Sequence, residues 1–221
     1  MKLGKIVSWL DGALAVDAFA DDVSNNGVQI ERDGDDVSKV AFAVDGSLAS
    51  VRAAAKAGAQ LLVVHHGISW GGGIKRVAGG VGDVVRAAVK ADLALYACHL
   101  PLDANKTYGN NWELARFFGL KKIAPAFSYR GHVIGVTGVN KHGRKIGICS
   151  GGAGEFAEAA KALGCDLYVT GEASWGDVVA AENCGMEMVC AGHYATETFG
   201  VKALARGMKR RLGVETVFLP R

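Results

Sequence analysis

This 221-residue chain has few prolines, a small net charge and no closely spaced pair of cysteines. Three prolines against 31 glycines fit short, tight turns and exclude a proline-rich linker. A formal net charge of +3 is too small to indicate a nucleic-acid-binding protein. Half of the residues are apolar, which is enough for a buried core. The composition therefore excludes a disordered chain and suits one domain or two small lobes.

Long apolar runs are also absent, since no uncharged apolar run approaches the roughly 18 residues of a membrane-spanning helix. We therefore expect no membrane partner. Asp11 and Asp17 interrupt the amino-terminal stretch, which lacks a cleavage site of small residues, so no signal peptide is expected. The five cysteines have no Cys-x-x-Cys spacing. We interpret them as buried, reduced thiols of a cytoplasmic protein.

Short apolar runs alternate with helical segments, which predicts an α/β fold with mainly parallel strands. Predicted helices cover residues 5–19, 48–57, 82–91, 110–118, 155–163, 177–183 and 197–211. Predicted strands cover residues 40–44, 61–64, 93–97, 145–149, 166–170, 186–190 and 214–218, with a more exposed strand at 129–139. Ser47 is expected to cap the second helix, and Asn110 or Asn111 the fourth.

An internal repeat relates the two halves of the chain. Residues 54–64 align with residues 159–169 with one gap, and residues 82–85 match residues 176–179 without substitution. Chance similarity between βα units is the alternative explanation.

The polar positions of this alignment favour a duplication. His99 aligns with His193, and Asp103 aligns with Glu197, so each half ends with the same His-x-x-x-acid element. A duplicated unit predicts two α/β lobes that face each other across a cleft. The predicted lobes are 1–123 and 124–221, with repeat units at about 39–103 and 145–197 and with the final helix and strand packing back on the first lobe.

Polar side chains directly follow three of the predicted strands. His65 and His66 follow the strand at 61–64, and the two His-x-x-x-acid elements follow the strands at 93–97 and 186–190. In open α/β sheets, ligands bind at the carboxyl ends of the strands. Four of the six histidines lie at these equivalent strand ends, which indicates a binding site.

The donors at these strand ends suit divalent transition metals, because imidazole nitrogens and carboxylate oxygens bind Zn, Fe, Mn, Ni or Co. The candidate ligands are His65, His66, Asp103, His193 and Glu197. One tetrahedral ion does not use so many donors, whereas two ions about 3.5–4 Å apart do. For each residue the alternative is a structural role at a strand end or a helix start.

His99 and Glu172 are the candidate catalytic residues. His99 is a metal ligand, an orienting group beside a ligand, a general acid or a residue without a role in the site. Glu172 aligns with His66 in the repeat, so we expect it near the cleft; the alternative is an acid at a helix start. A Ser-His-Asp triad is disfavoured because no nucleophile-elbow motif is present.

Three further segments have weaker signals. The glycine-rich segment 70–73 follows the histidine pair and is either a lid or a plain loop. His132 and His142 lie in polar or glycine-containing surroundings and are interpreted as surface residues. The basic segment 209–211 is explained by the dipole of the helix that it ends.

Six motifs occur in order along the chain and are similar to those of the Ngg-interacting-factor-three-like family, whose members are often named GTP cyclohydrolase 1 type 2. The motifs are Asn26-Gly-Val-Gln29, Val63-Val-His-His-Gly67, His99-Leu-Pro-Leu-Asp103, Gly109-Asn-Asn111, Thr170-Gly-Glu172 and Gly192-His-Tyr-Ala-Thr-Glu197. The resemblance covers essentially the whole chain. Together, the His-His-Gly, His-Leu-Pro-Leu-Asp and Gly-His-Tyr-x-Thr-Glu motifs are highly specific.

The resemblance implies two intertwined α/β lobes, a dinuclear metal site between them and a toroidal homohexamer. By motif match, the ligands are the five candidates named above, and His99 becomes an orienting group. The segment 119–145 is too short for the extra domain of longer family members. Members often carry a histidine shortly after the Gly-acid pair, where this chain has Trp175-Gly176-Asp177, which weakens an acid–base role for that loop.

The function implied by the resemblance is that of a hydrolase using two divalent ions such as Zn, Fe or Mn. Its small-molecule substrate would be GTP, another nucleotide or a cyclic amide-like compound, and His99 or Glu172 would move the protons. No GxxxxGK[ST] phosphate loop is present. Basic side chains such as Lys75, Arg76 and Lys106 would hold a triphosphate together with the metals. The alternative is a non-enzymatic metal-handling or scaffold protein.

Overall fold

Helices and strands alternate along the chain, which confirms the predicted α/β class. The computed structural model describes all residues from Met1 to Arg221. The helices are α1 (Leu3–Leu14), α2 (Leu48–Lys56), α3 (Gly79–Lys90), α4 (Leu100–Ala104), α5 (Asn110–Phe117), α6 (Ala157–Ala162), α7 (Trp175–Cys184) and α8 (His193–Leu212). The strands are β1 (Gly27–Ile30), β2 (Lys39–Asp45), β3 (Leu61–His66), β4 (Ala94–Ala97), β5 (Lys121–Tyr129), β6 (His132–Val139), β7 (Lys145–Gly152), β8 (Leu167–Glu172), β9 (Met188–Cys190) and β10 (Glu215–Phe218). None of the helices has both the length and the hydropathy needed to cross a bilayer.

The chain divides into two compact units, each built on one five-stranded sheet. Unit 1 consists of Met1–Leu102 and Val201–Arg221, and unit 2 is Asp103–Gly200. The chain therefore passes between the units within α4 and again within α8. The lobes 1–123 and 124–221 remain a sequence-based division.

The sheet of unit 1 has the strand order β1-β4-β3-β2-β10. Strands β10, β2, β3 and β4 are parallel to one another, and β1 at the edge is antiparallel to β4. All residues of the apolar run 61–64 in β3 are fully buried, as expected for a strand that is covered on both faces. The strand ends with His65, which is buried, and His66, which is partly exposed. The predicted site therefore begins at the carboxyl end of the central strand.

The sheet of unit 2 has the strand order β5-β6-β7-β8-β9. Strands β5, β6 and β7 are antiparallel, whereas β7, β8 and β9 are parallel. The prediction of one exposed strand at 129–139 was wrong. The structure has a hairpin, in which Arg130 and Gly131 turn with positive φ angles of 49° and 84°, and most of β6 is buried. Two residues with positive φ suit the twist of a tight hairpin.

The same βαβαβ module occurs once in each unit. In unit 1 it is β2-α2-β3-α3-β4, and in unit 2 it is β7-α6-β8-α7-β9. In both modules the three strands are adjacent, parallel and in chain order. This correspondence agrees with the duplication inferred from the sequence.

Several predicted helix ends differ from the structure; the last helix, for example, begins at His193 and not at residue 197. The opening helix was expected to run to residue 19, but α1 ends at Leu14 because Ala15 adopts a left-handed conformation with φ 52° and ψ 48°. Gly109, and not Asn110 or Asn111, precedes α5 as its N-cap. Both asparagines are buried inside the helix, where their side chains bind other segments. Ser47 caps α2 as predicted, accepting a hydrogen bond from the Ser50 N–H.

The cysteines are all free thiols. Cys98, Cys149 and Cys165 are buried, whereas Cys184 is half-buried and Cys190 is exposed. The predicted burial is therefore confirmed for three of the five cysteines. Cys190 is exposed because it ends β9, the edge strand of its sheet.

Candidate metal centre

Three histidine rings come together at the carboxyl ends of β3 and β4 in unit 1. The ring centroids of His65 and His66 are 4.7 Å apart, and those of His65 and His99 are 5.2 Å apart. Coordinating atoms of the three rings lie within 4.8 Å of one another. This histidine cluster, defined as His65, His66 and His99, is a grouping that can hold a metal ion.

Each ring of the histidine cluster is fixed through its Nδ1 atom. His65 Nδ1 lies 2.9 Å from the Cys98 carbonyl oxygen, and His66 Nδ1 lies 3.0 Å from Asp45 Oδ1. Because a carbonyl oxygen only accepts, His65 must donate from Nδ1, and its neutral ring then has the coordinating lone pair on Nε2. Ligand histidines in metal sites are oriented by this kind of contact.

His99 is held by the carboxylate of Asp22, whose side chain is fully buried. His99 Nδ1 lies 3.2 Å from Asp22 Oδ1. Asp22 also accepts hydrogen bonds from Asn26 Nδ2 and from the backbone N–H groups of Ser24 and Leu100. Burial alone would raise the pKa of the Asp22 carboxyl group, but the hydrogen bonds from His99 and Asn26 lower it to about 2. Asp22 is therefore a permanent negative charge behind His99.

The loop after the histidine pair is fixed by Gln29. Its Oε1 accepts hydrogen bonds from the backbone N–H groups of Ile68 and Ser69, at 2.7 and 3.2 Å. A Cβ at Gly67 would overlap the Gln29 amide and lie 2.6 Å from Ala97 Cβ. The close approach of β4 and Gln29 thus requires glycine directly after the two histidines.

A second donor group lies in unit 2, where β8 ends and α8 begins. His193 Nε2 is 3.1 Å from Glu197 Oε1, and His193 Nδ1 is 2.9 Å from Glu172 Oε1. The Glu197 side chain is only 4% exposed. The hydrogen bonds with Glu197 and Glu172 together outweigh the lowering effect of burial and raise the pKa of His193 to about 9, with Glu197 as the larger cause. Both ring nitrogens therefore donate in this structure, and a metal ion would replace the proton on Nε2.

Asp103 belongs to the same unit and is anchored from two sides. Its Oδ1 accepts hydrogen bonds from Asn110 Nδ2 at 2.9 Å and from Ser150 Oγ at 3.3 Å. Asn110 Oδ1 in turn accepts from the Gly200 N–H in α8 at 2.7 Å. The Asn110 side chain therefore connects Asp103 to α8, the helix that carries His193.

Cys149 is a fully buried thiol whose pKa is affected by these carboxylates. Burial raises the pKa of its thiol well above the usual value, and the charges of Asp103, Glu155 and Glu197 raise it further. The thiol is therefore protonated in the absence of a metal ion. The donor group at the start of α8 contains imidazole nitrogen and carboxylate oxygen.

The chain is similar to known proteins along its whole length. The family model of Duf34/NIF3 (NGG1p interacting factor 3) matches residues 1–138 and 126–221. This chain belongs to the NIF3 family. It is 38% identical to the GTP cyclohydrolase 1 type 2 homolog of Deinococcus radiodurans, over 97% of this chain and 91% of that protein.

Solved structures show the same NIF3 fold. The structural-genomics protein ybgI, of unknown function, matches with a TM-score of 0.91 and 26% identity over 100% of this chain and 99% of that one. TTHA1606 from Thermus thermophilus matches with a TM-score of 0.88 and 30% identity over 100% and 98% of the two chains.

Within this NIF3 family member, the structure brings together two subsets of the residues predicted from the sequence. His65, His66 and His99 form the cluster of unit 1, and Glu172 joins His193 and Glu197 in unit 2. The expected position of Glu172 in a cleft remains a prediction, as do the metal-ligand roles. His142 is exposed and His132 is half-buried, outside both donor groups.

Sequence reasoning missed the groups that orient the histidines. Asp22, Asp45 and the Cys98 carbonyl group contact His99, His66 and His65. Asp22 lies four residues before the first motif of the chain, and Asp45 ends β2, but neither position has a local pattern that reveals its partner.

Proposed function

We propose that this chain is a metal-dependent hydrolase that uses a pair of divalent transition-metal ions and acts on a nucleotide or a related cyclic amide-like molecule. One observation carries the proposal: four histidines have Nδ1 hydrogen-bonded to oxygen, which makes Nε2 the nitrogen that would bind a metal ion. The name GTP cyclohydrolase 1 type 2 homolog, given to the relative from Deinococcus radiodurans, supports the nucleotide as substrate class.

The proposed ligands are the five candidates that the sequence indicates. They are His65, His66, Asp103, His193 and Glu197. Their imidazole and carboxylate groups match the preferences of Zn, Fe and Mn. Their number fits a pair of ions better than a single tetrahedral ion. The residues present thus fit the group that the family resemblance implies.

His99 is the proposed proton-transfer residue. When bound, divalent ions make a water molecule nucleophilic near neutral pH and polarise the group that it attacks. With Nδ1–H donated to Asp22, His99 accepts a proton at Nε2, and the buried carboxylate stabilises the resulting imidazolium. The same ring would then return the proton to the leaving nitrogen of an opening ring.

Glu172 has a different proposed role. Its Oε1 contacts His193 Nδ1, so the carboxylate holds the ring of a proposed ligand. This contact favours positioning over proton transfer for Glu172. A positioning role for Glu172 does not need a histidine in the loop after β8. This chain has Trp175-Gly176-Asp177 in that loop.

A ring-shaped homohexamer in the cytoplasm is the proposed assembly. The family resemblance supports it. Phe117 and Phe118 are exposed and pack edge-to-face with each other, and Phe117 also contacts Phe199. An exposed aromatic patch of this kind is suited to contacts between protein copies. Light scattering that gave the mass of a single chain would contradict the assembly.

Turnover of GTP by metal-reconstituted protein, followed by chromatography, tests the proposed function. We expect a hydrolysed product from the wild type and none from His65→Ala. We expect His99→Gln to lower turnover by about 100-fold or more while the metal content stays unchanged. His142→Gln, a change at an exposed histidine, is the matched control.

The same variants separate catalysis from metal handling. Loss of metal from His99→Gln would make His99 a ligand and contradict its proton-transfer role. A wild type that binds metal but converts none of a panel of nucleotides would contradict the hydrolase. Metal handling would then be favoured if His99→Gln and Glu172→Gln retained cellular function while Asp103→Ala lost it.

A further inference from the structure

Trp70 is an exposed aromatic residue that borders the histidine cluster. Its ring centroid is 5.1 Å from that of His99, in an edge-on arrangement, and 6.0 Å from that of His66. The side chain is nevertheless 38% exposed. A large apolar surface thus remains in contact with solvent directly beside the proposed reaction site.

The exposed indole is held in a fixed position. Trp70 Nε1 donates a hydrogen bond to the Gly67 carbonyl oxygen at 3.0 Å. Its backbone forms an isolated antiparallel bridge with Ser24, and the next residue, Gly71, donates to the Val23 carbonyl oxygen at 2.6 Å. These bonds fix both the main chain and the ring, so Trp70 is better described as a rigid wall than as part of a mobile lid.

Rigid aromatic surfaces beside a polar centre bind flat rings, because stacking gains apolar contact without the loss of side-chain freedom. We propose that Trp70 is the specificity-determining residue that stacks on the heteroaromatic ring of the substrate while the histidine cluster acts on that substrate. This inference rests on the proposed function, because it assigns the ring-bearing part of a substrate to the same site.

The chain that follows Trp70 offers charge for the other part of a nucleotide. Residues 75–80 are exposed and include Lys75 and Arg76. Lysine and arginine side chains bind phosphate groups through charge-assisted hydrogen bonds. The segment from residue 70 onward therefore contains an aromatic residue followed by two exposed cations, which are residue types that recognise the base and the phosphates of a nucleotide.

Calorimetric titration of metal-reconstituted protein with GTP and with inorganic tripolyphosphate tests the role of Trp70. We expect the wild type to bind GTP more tightly than tripolyphosphate. Trp70→Ala should weaken GTP binding by about 10-fold, the loss of one ring-stacking contact, and leave tripolyphosphate binding unchanged. Trp70→Phe should retain most of the GTP affinity. Val77→Ala, which trims an exposed apolar residue of the same loop, should retain all of it.

Several results would overturn the inference. They are equal affinity of the wild type for both probes, no binding of GTP, or unchanged GTP affinity in Trp70→Ala. If Trp70→Ala lost equal affinity for GTP and for tripolyphosphate, Trp70 would have a structural role in the loop, and this result would also overturn the inference. Metal content, measured on the same samples, separates this failure from that of the proposed function: a wild type without bound metal contradicts the metal site, whatever Trp70 does.

Discussion

Asp22 organises the proton-transfer side of the histidine cluster. It accepts four hydrogen bonds, from the side chains of His99 and Asn26 and from the backbone N–H groups of Ser24 and Leu100. These donors keep a fully buried carboxylate ionised. A charge held in this way fixes the His99 ring, and the lowered pKa of Asp22 makes the stability of the fold depend on pH.

Asp22→Asn should reveal this dependence. The pKa of Asp22 is lowered to about 2, below the roughly 3.9 of an unfolded chain. The charged form therefore contributes stability above about pH 4, and the contribution is lost as the pH falls from about 4 to about 2. We expect the free energy of unfolding in urea to be roughly 2 kcal/mol lower than in the wild type at pH 6, with the difference shrinking below pH 4.

The exposed Asp33→Asn is the matched control, and its unfolding should follow the wild type across the same range. A difference between Asp22→Asn and the wild type that stays constant from pH 6 to about pH 3 would contradict a lowered pKa for Asp22.

The candidate ligands and Glu172 can be found from the sequence, but the other groups that orient the histidines cannot. His65, His66 and Asp103 occur in short motifs next to apolar runs, so local patterns reveal them. Asp22 and His99 are separated by 77 residues, and Asp45 and His66 by 21. Such pairings depend on which strands become neighbours. The Cys98 carbonyl group leaves no side-chain signal at all.

At the scale of elements, the parallel strands were predictable because each is a short apolar run bounded by turns or helices. Strand β5 was missed because its first residues, Lys121 and Lys122, are exposed and give no apolar pattern. The end of α1 was missed because the left-handed turn falls on Ala15, a residue that favours helices. Tertiary packing therefore decides element boundaries where the local preference is weak or opposite.

Strand β8 and helix α8 pack so closely in unit 2 that only glycine fits at residue 171. A Cβ there would lie 2.6 Å from the Gly151 carbonyl oxygen, 2.8 Å from His193 Cα and 2.8 Å from Thr196 Oγ1. We expect Gly171→Ala to lower the free energy of unfolding by about 1–3 kcal/mol and to weaken metal binding, because the start of α8 must shift. Urea unfolding and a chelator competition measure the two effects.

Gly176→Ala is the matched control for this substitution. It lies in the same unit, and a Cβ at that position would meet only Ser174 Oγ at 3.7 Å. The close packing of β8 and α8 would be contradicted if the two alanine variants unfolded at the same urea concentration.

At the scale of the whole molecule, the chain leaves unit 1 after Leu102 and returns at Val201. The last strand, β10, then pairs in parallel with β2. A local pattern shows that β10 is a strand but not which strand it joins. The repeat in the sequence was the only signal that related distant parts of the chain, and it correctly matched the two βαβαβ modules.

The proposed metal centre draws on donors that are far apart in the sequence, such as His65 and Glu197. The most direct test is the metal content per chain, measured by mass spectrometry after reconstitution with Zn, Mn or Fe and gel filtration. We predict about two ions per chain in the wild type and in the exposed-site control His142→Gln. His65→Ala and Glu197→Gln, one change in each unit, should each lower that number. A wild type without metal, or two ligand variants with the full content, would contradict the proposed centre.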